Sequence, residues 1–382
     1  MLQRLIGFAR PAALAALMLL PPAPQAADQA GDQIVIGQAI DLSGPNAAIG
    51  RDYVAGIKTC FDALNAAGGI GGRRIRYVVR DDRGLPQAAA GAVAELIERE
   101  RVDYLFGGVG DDVLQAVLAD GAFRRSGLTL FAPLAAGSVP AAAPVLFWRP
   151  GYQQEIRHVF AHFAQLGIQD IGVVYQPSPT NSEAYRRLNE EIAARGMRLA
   201  ATMRIGESGK PAPQFAADAA RMAAARPGFV LVIADSIGTA LFLKEFRRHS
   251  AQTFVAGTSL TNLATLRELA GAAAVQWTVF SQVVPNPAAG TSLLQSEHLN
   301  MMKIYRDESV SALTLEGFAA AKSLARALQQ APQPGKSALR DWRARPREID
   351  LGGLAVGTAG DGNRLSSYLD IALFGKGGKL VF

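Results

Sequence analysis

Two adjacent carboxylates, Asp111 and Asp112, follow the run Gly107-Gly108-Val109-Gly110 and precede the helical stretch Val113-Leu114-Gln115-Ala116-Val117. A glycine loop between strand and helix can cradle a dinucleotide. Here the third glycine is missing and two negative charges stand where a phosphate would approach, so nucleotide binding is not expected. The pair reads instead as one aspartate capping the helix and one facing outward from the strand end. Glu155, His158 and His162 have helical i, i+3, i+7 spacing and could ligate a metal. Because Ile156, Val159, Phe160 and Phe163 claim the core side of that helix, the trio is expected on its solvated face, with no metal site. Gly206-Glu207-Ser208-Gly209-Lys210 lacks phosphate-loop spacing and is a turn. There is no Gly-x-Ser-x-Gly elbow, and the single cysteine, Cys60, shares an apolar stripe with Tyr53, Ile57, Phe61 and Leu64, which marks a buried thiol. Triads assemble from distant residues, so an exported α/β enzyme stays as an alternative, but no local motif supports one. The expectation is a non-enzyme without a cofactor.

Residues 1–27 carry Arg4 and Arg10, an apolar stretch from Ala12 to Leu20, and small residues before Asp28. That is the pattern of a secretory signal peptide, too short to span a membrane. Its removal takes two positive charges from a net +6. With no second cysteine an intramolecular disulfide is excluded, and with none after the signal so is a lipid anchor. The remaining basic residues are scattered rather than blocked, which argues against a nucleic-acid partner. A chain of 382 residues with 49% hydrophobic content can build two cores.

The elements that must position these residues alternate regularly. Strands are expected at Ile34–Ile40, Ile75–Arg80, Tyr104–Gly107, Leu128–Ala132, Ile171–Tyr175, Arg198–Arg204, Phe229–Ile233 and Thr253–Ala256. Between them lie helical periods, including Tyr53–Ala66, Gln87–Glu100, Val113–Arg125, Gln153–Leu166, Glu183–Arg195, Pro213–Ala224 and Ala240–Arg248. Short apolar strands separated by helices imply parallel sheets covered on both faces. The segment around Val93–Phe106 is echoed around Asp218–Val232, and Arg124–Pro133 around Arg247–Gly257, at a steady offset. Two βα lobes of like topology account for the echo; chance similarity among Ala-rich helices is the alternative. Farther on, Trp277–Val284 reads as extended, Ser292–Tyr305 and Leu315–Gln329 as helical, Pro332–Gly335 as a turn, and Leu351 to Ile371 as a hairpin.

The opening segment is the most specific. Ile34-Val35-Ile36-Gly37 leads to Asp41-Leu42-Ser43-Gly44-Pro45, a helix, Asn65-Ala66-Ala67-Gly68-Gly69-Ile70-Gly71-Gly72, and Arg74–Val79. This resembles the type I periplasmic binding proteins, in particular the leucine/isoleucine/valine-binding family of ABC transporter substrate-binding proteins. The resemblance implies two Rossmann-like lobes joined by a three-crossing hinge with a ligand cleft between them. Carried onto this chain, it places the crossings near Arg149, Phe280 and Ile349. One lobe then comprises 32–148 with 281–349, and the other 149–280 with 350–382. It further implies a periplasmic, monomeric receptor with a small-molecule ligand and an inner-membrane ABC permease as partner. A periplasmic sensor of the same fold, signalling to a membrane receptor or an oxidation pathway, is the alternative.

Amino-acid binders of that family hold the ligand carboxylate with a hydroxyl and loop amides of the first lobe, and the ammonium with an acid of the second. By resemblance the ligand-binding positions here are Ile49, Asp111, Asp112, Ala135, Ala136, Thr180, Asn181, Asp235 and Thr258. Asp111 stands for the usual serine, Ala136 for a threonine, Thr258 for the acid, and Ile49 and Asp235 for tyrosines; Thr180 or Asn181 replaces another. A carboxylate at 111 would repel a ligand carboxylate, so a neutral, cationic or larger apolar solute is expected rather than a branched-chain amino acid. Trp148 and Trp277 flank the crossings and read as hinge packing or an aromatic wall, and Arg149 as an anion anchor or a structural ion pair.

Overall fold

The computed structural model describes residues 33–135, 137, 139–177, 188–207, 210–331, 337–345, 347–357 and 362–382. The signal segment 1–27, the turn Pro332–Gly335, and Ala136, Thr180 and Asn181 lie outside them.

Two sheets carry the fold. The first runs β2 (Arg74–Asp81), β1 (Gln33–Ile40), β3 (Tyr104–Phe106), β4 (Leu130–Phe131) and β5 (Val145–Leu146), all parallel. The second has the order β14 (Leu380–Val381), β13 (Asp370–Phe374), β10 (Thr278–Gln282), β9 (Phe254–Gly257), β8 (Phe229–Ile233), β6 (Asp170–Tyr175) and β7 (Arg198–Arg204). Its C-terminal pair β13–β14 is antiparallel. A two-stranded hairpin, β11 (Ile349–Asp350) with β12 (Ala355–Val356), stands apart.

Period-two alternation sends successive residues of each strand to opposite faces, and both faces are covered. In β8, Phe229, Leu231 and Ile233 pack with α5 (Tyr152–Gln165) and α6 (188–194 of the described residues). Val230 and Val232 pack on the other face with α7 (Phe215–Ala224), α8 (Ser236–Phe246) and α9 (Leu263–Ala270). In the first lobe, Tyr104 and Phe106 face α1 (Ala47–Ala66), α11 (Ala312–Gln330) and α12 (Ala338–Ala344). Leu105 faces α2 (Pro86–Glu98), α3 (Asp111–Ala119) and α4 (Gly121–Ser126). Each lobe is therefore a three-layer α/β/α sandwich with a core on each side of its sheet. Cys60 is 4% exposed within the first core, and burial pushes its thiol up to about 12, which makes it an inert packing residue.

Helices α1 and α11 meet through glycines. A Cβ on Gly56 would lie 2.0 Å from the carbonyl oxygen of Thr314, and one on Gly317 would lie 2.2 Å from that of Tyr53. Only residues without side chains let the two backbones approach this closely. The contact seats α11 on α1 and holds Glu316 of α11 beside Arg149.

Several expectations shift. The single helix Val113–Arg125 is broken at Asp120, whose extended backbone (ψ 137°) and side chain cap the next helix by accepting from the Phe123 N–H. The Leu351–Ile371 segment is not one hairpin. Its apolar residues Leu351, Leu354, Val356 and Leu365 sink into the first core, and only β13 pairs with the second sheet. Phe280 lies inside β10, which continues to Gln282, and Ile349 is buried in the first lobe. The chain leaves the second lobe after β10, where α10 (Leu293–Tyr305) returns to α1. It re-enters after Ser366, whose N–H donates to the carbonyl oxygen of Trp148 (2.9 Å).

Candidate functional site

At the passage from β5 to α5 the chain is pinned by buried polar contacts. Arg149, 1% exposed, donates from Nε to Glu316 Oε1 (2.9 Å) and from Nη2 to Oε2 (2.7 Å). Trp148 Nε1 donates to Ser323 Oγ at 3.0 Å. Both expected alternatives for this pair resolve toward structure: Arg149 is an ion-pair partner and Trp148 is packed. Trp277, 37% exposed, stacks edge-on against Phe254.

Loops at the carboxyl ends of both sheets converge beyond this strut, where an open α/β sheet presents its ligands. Asp111, the first residue of α3, accepts the N–H of Gly137 on Oδ1 at 2.8 Å. From the other lobe, Tyr152 at the start of α5 comes beside it and lies within hydrogen-bonding reach of Thr258. Burial, then the Asp111 and Glu155 carboxylates, raise the Tyr152 phenol above its usual value, so it stays protonated. Arg364 completes this corner. Its Nη2 donates to the Gly137 carbonyl (3.0 Å), its Nη1 to the Arg149 carbonyl (3.1 Å), and its guanidinium lies 4.3 Å from the Phe147 ring centroid.

Asp111 and Thr258 both act on Tyr152, whereas Ile49, Ala135, Asp112 and Asp235 have other surroundings. Ile49 is 2% exposed in the first core, because it continues the α1 stripe of Tyr53, Ile57 and Cys60; it is not a cleft wall. Ala135 is fully buried in the other core of that lobe and offers no side chain to a ligand. Asp112 is exposed in the first turn of α3, and the N-cap is Gly110 (φ +100°), so neither aspartate caps this helix. Asp235 is spent: Oδ1 caps α8 through the Gly238 N–H (2.6 Å) and Oδ2 accepts from Gln176 Nε2 (3.0 Å).

Glu155 is the main surprise. It is 0% exposed rather than solvated, and Oε2 accepts the Ser259 N–H (2.9 Å) and the Ser281 hydroxyl (2.6 Å). Among the described residues its Oε1 has no hydrogen-bond partner, and neither has Nη1 of neighbouring Arg149. The carboxylate fixes the loop after β9 against β10, next to Thr258. Its burial removes it from any grouping with His158 and His162. Among the described residues the one acid cluster close enough for a metal is Asp41, Asp81 and Asp82. Those carboxylates accept N–H groups of the loop they support, although Oδ2 of Asp82 is buried without a partner among the described residues. Asp41 takes the Gly44 and Asn46 N–H groups, Asp81 those of Leu42 and Arg83, and Asp82 that of Gly84. Burial, with help from Asp41 and Asp81, pushes the Asp82 carboxyl up to about 6. A second interlobe contact joins Asp52 of α1 to Asn262 Nδ2 (3.2 Å) and the Ser311 hydroxyl (2.8 Å).

Two α/β lobes whose strand-end loops face each other across a pinned crossover define a bilobal solute-binding protein. A periplasmic binding protein family model matches residues 33–368, and the chain belongs to that family. The fold is similar to a substrate-binding periplasmic protein from Ralstonia solanacearum. Identity there is 26% and the TM-score 0.83, covering 91% of this chain and 99% of that one. It also resembles the branched-chain amino acid transporter substrate-binding protein of Streptococcus pneumoniae solved with isoleucine, at 16% identity and a TM-score of 0.78, over 92% and 98% of the chains. Shorter stretches match curated proteins. An amino acid binding protein of Pseudomonas aeruginosa is 34% identical over 74 residues, 19% of this chain and 20% of the relative. A Leu/Ile/Val-binding protein homolog of Brucella melitensis is 30% identical over 104 residues, 27% of each. No helix of the described residues is long and apolar enough to cross a membrane.

Proposed function

We propose that the chain is an exported receptor that captures a small solute between its lobes and delivers it to an ABC importer, and that this solute is not a standard branched-chain amino acid. Membership of a solute-binding family and the paired lobes support the receptor reading. The observation that carries the ligand class is the 2.8 Å contact from the Gly137 N–H to Asp111 Oδ1. A loop amide of the kind that holds a ligand carboxylate is here filled by a carboxylate of the protein itself. A second anion would meet that charge at close range, a repulsion on the order of several kcal/mol in a closed, partly dry site. On the other lobe Thr258 supplies a hydroxyl in place of an acid, and buried Glu155 already holds the Ser259 N–H. A neutral amide or polyol, or a cationic solute, satisfies these groups better than a zwitterion.

Titration calorimetry with leucine tests this on the wild type and on Asp111→Ser. The substitution frees the Gly137 amide and restores a hydroxyl. Leucine is expected to bind the variant at least tenfold more tightly than the wild type, roughly 1.4 kcal/mol. Tight leucine binding by the wild type would overturn the ligand class while leaving the receptor reading intact.

A further inference from the structure

A cavity of about 320 Å³ opens where the lobes meet at the Asp52 contact, and neither Asp111 nor Tyr152 lines it. The first lobe contributes Val310 and Leu313, and the second contributes Leu263, Phe374 and Leu380, so its body is apolar and spans both lobes. Asn262 and Ser311, also in the wall, both donate to Asp52 at the rim, and the Asn262 bond ties the lobes together. Two polar groups of the wall are unspent. The Ser259 hydroxyl is buried without a hydrogen-bond partner. Arg267, exposed in the last turn of α9, has no ion pair or side-chain hydrogen bond among the described residues. Volumes of this size hold a small organic molecule, and a mostly apolar cavity with a few polar groups is the usual make-up of a ligand site.

We infer that this cavity is a second ligand site, distinct from the one at Asp111 and Tyr152, for a small amphipathic carboxylate. The apolar body lies against Leu313, Phe374 and Leu380, and the carboxylate pairs with Arg267. The carboxylate of Asp52 keeps an anion away from the Asn262 side and favours the Arg267 end. Because the walls come from both lobes, an occupant contacts them together only when they are closed. Its binding therefore favours the closed arrangement, as any ligand favours the state with which it makes more contacts.

The probe is 4-phenylbutyrate, compared with its uncharged analogue 4-phenylbutanol, titrated into the whole protein and followed by NMR and calorimetry. The acid is expected to bind saturably and roughly tenfold more tightly than the alcohol. Arg267→Gln should bring the acid down to the affinity of the alcohol without altering the alcohol. Leu263→Trp, which fills the cavity, should abolish both, while Asp111→Ser should change neither. Absence of saturable binding in the millimolar range, an acid affinity indifferent to Arg267→Gln, or loss of binding in Asp111→Ser would each overturn the assignment. The last result would place the probe in the site at Asp111 and Tyr152, so this test fails separately from the receptor reading.

Discussion

Removing Glu316 should damage this protein more than any surface charge would. Arg149 and Glu316 are 1% and 2% exposed and joined by two charge-assisted hydrogen bonds of 2.9 and 2.7 Å. In Glu316→Ala the guanidinium stays buried without its two hydrogen bonds, its Nη1 already lacks a partner, and only the charge of Glu155 remains near it. Breaking one side of such a pair costs about 3–5 kcal/mol, whereas a surface pair costs about 0–1 kcal/mol. The loss should appear as a lower urea midpoint at unchanged slope, read by the fluorescence of the three tryptophans, of which Trp148 adjoins the pair. Replacing both partners, Arg149→Leu with Glu316→Leu, removes the stranded charge and should recover at least half of the loss. A single variant within about 1 kcal/mol of wild type, or a double variant worse than the single, would refute the idea that this pair is a buried strut.

The remaining predictions concern pH and packing. His298 is fully buried, and desolvation lowers its imidazole to about 4. The unfolded chain then binds a proton that the folded chain refuses, so stability falls as pH drops from about 6.5 toward 4, by about 3 kcal/mol in total. His298→Gln should flatten that part of a pH–melting curve; an unchanged curve contradicts the assignment. Asp82 has the opposite sign. Its carboxyl, raised to about 6, destabilises the fold as pH rises from 3.8 through 6. Asp82→Asn should therefore raise the melting temperature at pH 8 and give no gain below the carboxylate range. Gly56→Ala drives a methyl into the Thr314 carbonyl and should cost about 1–3 kcal/mol or more, seen as a lower denaturation midpoint. An unchanged midpoint would mean that α1 and α11 can separate freely.

Much of the architecture was legible because buried parallel strands advertise themselves. β6 and β8 match the expected Ile171–Tyr175 and Phe229–Ile233 to within a residue, where apolar or β-branched residues run between turn signals. β5 escaped notice because two residues, Val145 and Leu146, carry no period. α8 begins at Ser236, ahead of the expected Ala240, because Asp235 caps it through the Gly238 N–H. The site was less legible, for two different reasons. Ile49 could have been read as core from its own stripe with Tyr53, Ile57 and Cys60; the resemblance carried it to the cleft against that period. Glu155 offered no such clue, since its partners Ser259 and Ser281 are remote in sequence and only the fold delivers them. The contact of Asp111 is a further case: its Oδ1 accepts the Gly137 N–H, a pairing between remote residues that no local pattern specifies.

The most direct test of the central claim is a thermal-shift screen of the protein against amino acids, amides, polyols, polyamines and aromatic acids. A true ligand at 100 times its dissociation constant adds about 2.7 kcal/mol and raises the melting temperature visibly. The account predicts stabilisation by a neutral or cationic solute and none by leucine or isoleucine. Stabilisation by leucine-like amino acids alone would contradict it, because the charge at Asp111 would then not govern what the site accepts.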